Sequence, residues 1–357
     1  MLDNLCGGRH PEVMNVAVVG CGSLGGVIAV RLAGRQGLHL EVLNRNPRIA
    51  EAASRQGLRL HAGGRWFTAR VPLAGAPLNP PYDAVILAQK ANGLAQTCRE
   101  LLPALAPRGF FLTTQNGLVG LELRRSFGPE RVVPGCVLWG ASMTEPGVYE
   151  LTASGPFLLP AGEAFPLREA SALLSQVFPV RPCPDIAGAL WSKLAISASF
   201  TALGAISGLR FGRLAATAER RRLILAIGEE VLRAARAQGV ELGALGGGLN
   251  VRRFLLPAAE GGYPTARKHL LLSLLGWKNR RTESSMLDSL RRGRPTEIDF
   301  LNGLVVRLAE QSGLPAPWNR AVCQLVGEME RAQLEPRDSN LAELARRAAA
   351  PQAGHAR

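Results

Sequence analysis

Residues 18–26 read VVGCGSLGG and overlap the end of the apolar run MNVAVV at 14–19. That run has the composition of a buried parallel strand, and SLGGVIAVRLAGRQ (23–36) behind it has the spacing of an amphipathic helix. The join between them carries Gly20-x-Gly22-x-x-Gly25. Between a strand and a helix each glycine has a task. Gly20 permits the tight turn, Gly22 lets the backbone approach a pyrophosphate, and Gly25 lets the helix pack closely on the strand. The free amides at the helix start, around Cys21, Ser23 and Leu24, then face an anion. Glycines used only for close packing give the same spacing, but the strand ahead and the helix behind favour a dinucleotide at Gly20–Gly25.

The pattern continues outward. LEVLN, DAVILAQ and FFLTTQN read as further buried strands, with RIAEAASRQ and GLAQTCRELLPAL as helices between them. Such alternation implies a doubly wound, Rossmann-type α/β sheet. GLRLHAGGRWFTARVPL reads as an inserted hairpin about Gly63–Gly64. From 131 to 182 come more strands and one helix near 168–178. After Pro184 the pattern becomes helical, near 186–206, 214–238, 264–275 and 299–312. The expected organisation is a disordered extension (1–13), a nucleotide-binding domain (14–183), an all-α substrate and catalytic domain (184–335) and a C-terminal tail (336–357), whose end RRAAAPQAGHAR (346–357) is expected to fray.

The second strand separates the two nicotinamide dinucleotides. A site for NAD ends that strand with a carboxylate that bonds the ribose hydroxyls. Here it ends LNRNP, with Asn44 and Arg45. A guanidinium suits a 2′-phosphate, so the expected cofactor is NADPH, with Arg45 on that phosphate.

Bulk properties narrow the class. A chain of 357 residues is long enough for two cores, and 47% apolar with 20% charged residues excludes a disordered chain. No uninterrupted apolar stretch reaches the length of a membrane span, and residues 1–13 lack the apolar centre of a signal peptide. The net charge of +14 favours anionic partners. Only four of the 42 basic residues are lysine, and the arginines are scattered without interleaved aromatics, which argues against a nucleic-acid surface. Cys6, Cys21, Cys98, Cys136, Cys183 and Cys323 form no C-x-x-C and no metal spacing, as expected of a reduced cytoplasmic protein without a metal site.

One helix carries polar atoms in apolar company. ALWSKLAISASFTALGAI (189–206) places Lys193, Ser197 and Thr201 four residues apart, along one stripe. A lysine there either snorkels to solvent or has a task. The task that fits is general acid, since hydride delivered to a carbonyl carbon makes an alkoxide that needs a proton. The five histidines (10, 39, 61, 269, 355) form no cluster to compete for that role. Downstream, Thr296 and Asp299 have the spacing of a helix cap, with Glu297 in the first turn.

Together these residues resemble the ketopantoate reductase (2-dehydropantoate 2-reductase) family. The pieces that carry the resemblance are GCGSLGG, QK at 89–90, QNGL at 115–118, LWSKLA at 190–195 and SSMLDSLRRGRPTEIDFLNG at 284–303. By position it implies Lys193 as proton donor, with Glu297 near that lysine and the nicotinamide. It implies Lys90 as a nucleotide-binding lysine, Asn116 between cofactor and substrate, Ser285 on the substrate, and Ala141 at a backbone contact to the cofactor. Read without the family, Asn116 is the first half of an Asn-Gly turn and Ser285 a plain helix-start hydroxyl.

The departures bear on substrate. The family's asparagines four and eight residues after the lysine are here Ser197 and Thr201, and a third falls at Phe211. Short hydroxyls and a phenyl ring make a less polar pocket than three amides. The leading expectation is reduction of a 2-oxo acid by NADPH, ketopantoate to pantoate, with Ser197, Thr201 and Ser285 binding the acid. The alternatives are a more apolar carbonyl substrate and a non-catalytic NADP sensor. Neither membrane nor nucleic acid is expected as a partner, and the helical domain has apolar faces enough for a homodimer.

Overall fold

The computed structural model describes residues 13–245 and 249–350 and divides into two units. The first takes in the chain to Gln115 together with Gly120–Pro184. The second takes in Asn116–Val119 and the chain from Asp185.

In the first unit, β1 (Met14–Val19), α1 (Ser23–Leu32), β2 (Leu38–Leu43) and α2 (Pro47–Gln56) lead into the hairpin β3 (Leu58–Ala62) and β4 (Arg65–Ala69). Then come β5 (Leu73–Ala74), β6 (Tyr82–Leu87), α3 (Leu94–Leu101), β7 (Leu105–Thr113), α4 (Val119–Phe127) and β8 (Val132–Pro134). The main sheet runs β5-β2-β1-β6-β7-β8, every pair parallel. Its strands are apolar on both faces because helices cover both; Val16, Val18, Val42 and Ile86 are fully buried. The hairpin forms as the sequence predicts, with Gly63 and Gly64 at φ of +57° and +73°, a turn only glycine enters without strain. It joins β10 (Gly140–Glu145) and β11 (Val148–Ala153), which follow β9 (Cys136–Val137), in a second sheet ordered β10-β11-β3-β4. β12 (Phe157–Pro160), α5 (Leu167–Ser175) and β13 (Val180–Cys183) complete the unit.

The second unit is helical. Asp185 caps α6 (Ile186–Ile196) by accepting from the Gly188 amide at 2.8 Å. A wide turn of π-helix (Ser197–Thr201) and α7 (Ala202–Ser207) continue α6 as one rod of 22 residues. By length and composition this rod passes for a membrane span, but 67% of its most apolar window is buried in the protein. The helices that follow are α8 (Phe211–Leu214), α9 (Ala218–Ala237), α10 (Val251–Leu255), α11 (Thr265–Lys278), α12 (Ser285–Arg291), α13 (Asn302–Gln311), α14 (Pro317–Glu330) and α15 (Asn340–Ala349), and the rod packs against α8, α9, α12, α14 and α15.

The fraying expected from 346 is corrected over the described residues. Leu341, Leu344 and Ala348 recur on one face of α15 and are buried, so the segment docks on α14 and α7 instead of fraying. The Arg337 amide and the Asn340 side chain both donate to the Ile206 carbonyl, each at 3.1 Å, and Arg347 reaches both oxygens of Glu328 at 2.6 and 3.1 Å. The helix expected from 299 begins at Asn302, after a 3₁₀ turn at Ile298–Phe300. The extension at 1–13, Val13 aside, and residues 351–357 lie outside the described residues.

Candidate functional site

The glycine turn follows β1, and its three glycines are not equivalent. Gly20 has φ of +92°, and a Cβ there would lie 2.7 Å from the Gln89 backbone nitrogen. A Cβ on Gly25 would lie 1.9 Å from the Gly20 carbonyl oxygen, so both are required by the protein's own packing. Gly22 is different. Its φ of −75° and ψ of −162° suit any residue, and a Cβ there would meet no protein atom within 4 Å. It caps α1 with no side-chain hydrogen bond to the first-turn amides. Open space over uncapped helix-start amides is the arrangement that receives a phosphate, so the turn fits a dinucleotide's pyrophosphate.

The residue that braces this turn was missed in the sequence. Tyr149 on β11 is fully buried, and its ring occupies the place of a Gly26 Cβ, which would lie 1.9 Å from Cζ. Its hydroxyl donates to the Cys21 carbonyl at 2.9 Å and lies 3.1 Å from the Cys21 thiol. Burial pushes that thiol up to about 11, so Cys21 stays protonated and acts as packing. The doubled glycine at 25–26 was the only local sign of the close approach at Gly26; nothing local signalled Tyr149.

β2, β1 and β6 are adjacent in the sheet, so the loops after them share one carboxyl edge. Arg45 follows β2, is 82% exposed and lies 3.4 Å from a Glu100 oxygen on α3. Asn46 caps α2 through the Arg48 amide at 3.0 Å. Lys90 is exposed, three residues past β6, and Gln115 ties the strand ends there through the Leu87 and Gln89 carbonyls at 2.9 and 2.8 Å. Ala141 is half-buried on β10, which packs against α1.

The other predicted residues gather in the second unit. Lys193 is half-buried on α6, and Ser197 and Thr201 are half-buried at the two ends of the wide turn. Ser284 caps α12 by accepting from the Leu287 amide at 3.1 Å, and its hydroxyl donates to the Thr201 carbonyl at 2.6 Å. That contact sets Ser285, exposed in the first turn of α12, near Thr201. Glu297 is half-buried and opens the 3₁₀ turn, where Thr296 Oγ1 accepts from the Ile298 amide at 3.2 Å rather than from the N–H of Asp299. Gly117 has φ of +79°, and a Cβ there would lie 2.5 Å from the Phe300 carbonyl oxygen. The turn holding Asn116 therefore seats directly on the turn that Glu297 opens. Phe211 is half-buried at the start of α8, its ring 5.2 Å from that of Phe200 in the wide turn.

Two family models match almost the whole described chain. The ketopantoate reductase PanE/ApbA model covers residues 16–163, and the PanE/ApbA C-terminal model covers 185–330. The chain belongs to the ketopantoate reductase family. A 2-dehydropantoate 2-reductase from Mesorhizobium japonicum is 28% identical, over 88% of this chain and 97% of its own length. One from Pyrococcus horikoshii is 24% identical, over 89% and 98%. Among solved structures, a PanE/ApbA family ketopantoate reductase from Ralstonia eutropha superposes with a TM-score of 0.73 at 27% identity, covering 90% of this chain and 99% of that one. A D-mandelate dehydrogenase with NADH and anilino(oxo)acetate shares the fold, with a TM-score of 0.75 at 18% identity over 90% and 99%. This reductase is an oxidoreductase acting on CH–OH groups. That activity sets aside the reading as a silent sensor.

Around the wide turn the reductase is apolar. A small cavity of about 20 Å³ lies beside Phe200, lined also by Ile196, Ile224, Phe254 and Leu272. Ser199, which also borders it, has its hydroxyl tied to the Ala195 carbonyl at 2.8 Å.

Proposed function

We propose that this reductase uses NADPH to reduce the keto group of a 2-oxo acid to a hydroxyl, with 2-dehydropantoate as the leading substrate and pantoate as its product. The observation that carries the reading is Lys193: a half-buried ammonium on an apolar helix, one helical turn ahead of a wide turn that carries the Ser197 and Thr201 hydroxyls. When bound, the reduced nicotinamide supplies hydride to the carbonyl carbon. Lys193 Nζ donates the proton to the carbonyl oxygen as negative charge develops there. Glu297 orients that ammonium, and Asn116, on the turn seated beside it, holds the acid against the reacting face. Ser197, Thr201 and Ser285 hold the acid's polar groups. On the cofactor side, Gly20–Gly25 receive the pyrophosphate, Arg45 the 2′-phosphate and Lys90 the nucleotide, with Ala141 offering a backbone contact.

A second reading of the substrate has its own support. The Phe200–Phe211 pair, at the place of an amide in the family pattern, suits a more apolar side chain. Turnover of 2-dehydropantoate against a panel of aliphatic and aryl 2-oxo acids decides between them. The chemical role is tested by Lys193→Ala, which should lower kcat by about 10²–10⁴ while NADPH binds as before. Normal turnover by that variant would remove Lys193 from the mechanism.

The reading extends to assembly and setting. Leu270, Leu274 and Trp277 are exposed along one face of α11, and this stripe supports a homodimer. Leu274→Glu should then halve the mass seen by light scattering. The five cysteines among the described residues are unbridged, which supports a reducing, cytoplasmic setting.

A further inference from the structure

The wide turn at Ser197–Thr201 is held from outside its own helix. In an α-helix each carbonyl takes the amide four residues on, and a turn with i→i+5 bonds disturbs that ladder. Three carbonyls around this turn receive side-chain donors. Ala195 takes the Ser199 hydroxyl at 2.8 Å, Ala198 takes Asn302 Nδ2 at 3.0 Å, and Thr201 takes the Ser284 hydroxyl at 2.6 Å. The last two donors come from α13 and from the cap of α12, and both residues are buried.

Asn302 is itself anchored. Its Nδ2 also donates to Asn319 Oδ1 at 2.9 Å, and Asn319 Nδ2 donates to the Ile227 carbonyl at 3.2 Å and to Glu230 at 2.7 Å. The Glu230 carboxylate also accepts from the Trp318 and Asn319 amides, each at 2.9 Å. Both amide groups have only one workable orientation: turning Asn302 over would set oxygen against oxygen at both of its contacts, and turning Asn319 over would do so at two of its three and set nitrogen against nitrogen at the third. The relay therefore runs one way, from Ala198 to a buried carboxylate on α9.

The geometry at stake is angular. At about 100° per residue, positions four apart in a regular helix drift by about 40° a step, so Thr201 would stand about 80° around from Lys193. A turn with i→i+5 bonds winds less per residue and brings Thr201 back toward the lysine's side. We propose that Asn302, through Asn319 and Glu230, and Ser284 are positioning residues that hold this wide turn and thereby set Ser197 and Thr201 in line with Lys193. The inference rests on the reading above, in which that stripe faces the 2-oxo acid.

The test uses Asn302→Leu and Ser284→Ala. Each is assayed with NADPH and the 2-oxo acid of the panel that the parent reduces best, well below the variant's melting temperature. Lys193→Ala is run alongside. The expected result is an acid KM raised about tenfold or more in each variant. NADPH affinity stays within twofold of the parent, and kcat falls less than KM rises. Unchanged KM in folded Asn302→Leu and Ser284→Ala, with turnover still lost in Lys193→Ala, overturns the positioning role and leaves the proton donor standing. Raised KM with normal turnover in Lys193→Ala does the reverse. If Asn302→Leu does not fold, Ser284→Ala decides, since it removes one donor and one cap.

Discussion

Two nearby glycines give opposite expectations when each is replaced by alanine. At Gly22 the backbone lies where any residue is allowed, and an added methyl meets no protein atom within 4 Å. Restricting the unfolded chain favours alanine by about 0.4–1 kcal/mol, but Gly22 is the N-cap of α1, where glycine is preferred to alanine by a similar amount. The two effects oppose, so Tm should stay within about 2 °C of the parent. The methyl stands in the space assigned to the pyrophosphate. Overpacking there costs about 1–3 kcal/mol, or roughly 5- to 150-fold in the Kd for NADPH. Gly26→Ala does the reverse: its methyl would lie 1.9 Å from Tyr149 Cζ, so Tm should fall by several degrees. Thermal melts and fluorescence titration with NADPH read both variants. Parental affinity in Gly22→Ala would show that the open side of the turn holds no phosphate. A Tm lowered there as far as in Gly26→Ala would show that the added methyl does meet the protein.

Tyr149→Phe leaves the buried Cys21 carbonyl without its donor, which costs about 1–3 kcal/mol; Tm should drop and NADPH affinity weaken several-fold with the acid's KM unchanged, and a variant matching the parent in both would remove the brace. Arg45→Ala should weaken NADPH by about 10-fold or more and NADH far less, without loss of stability, because its ion pair with Glu100 is exposed; equal weakening of both would dispose of the 2′-phosphate contact. The docking of α15 should be acid-sensitive. Hydrogen bonds from Arg347 hold Glu328 below its ordinary 4.5, and those from Arg346 and then Arg347 push Glu343 to about 2. A depressed carboxylate stabilises fully above its unfolded pKa and loses that contribution as pH falls through the folded one, so the loss should fall between about 4.5 and 2. Proteolysis at α15 across that window should track it, and Arg347→Met should flatten the dependence; identical profiles would sever the link.

What the sequence revealed and what it concealed divide along a physical line. The strand–turn–helix at 14–32 is local: its glycines, its apolar run and its helix face all lie within one window, and they fold as read. Lys193 was legible because a single charge in an apolar helix stands out against its neighbours. The brace on the glycine turn was not, since Tyr149 lies 128 residues from Cys21 and looks like any strand aromatic. The α15 tail was misread because its arginines and alanines suggest fraying, while the three positions that dock it matter only once α14 and α7 are in place. The hardest feature was the wide turn. Reading Lys193, Ser197 and Thr201 as one stripe assumes a uniform helix, yet a uniform helix carries the third residue well off the first. Nothing in SASFT asks for i→i+5 bonds; the demand comes from a side-chain amide 104 residues away and a hydroxyl 83 residues away. Local periodicity therefore specifies the rod and distant side chains specify its irregularity. On the proposed reading, the alignment of the stripe with Lys193 belongs to the second kind of information, which is why residues with no reacting atom, Asn302 and Ser284, are the ones whose loss should register in the KM of the acid.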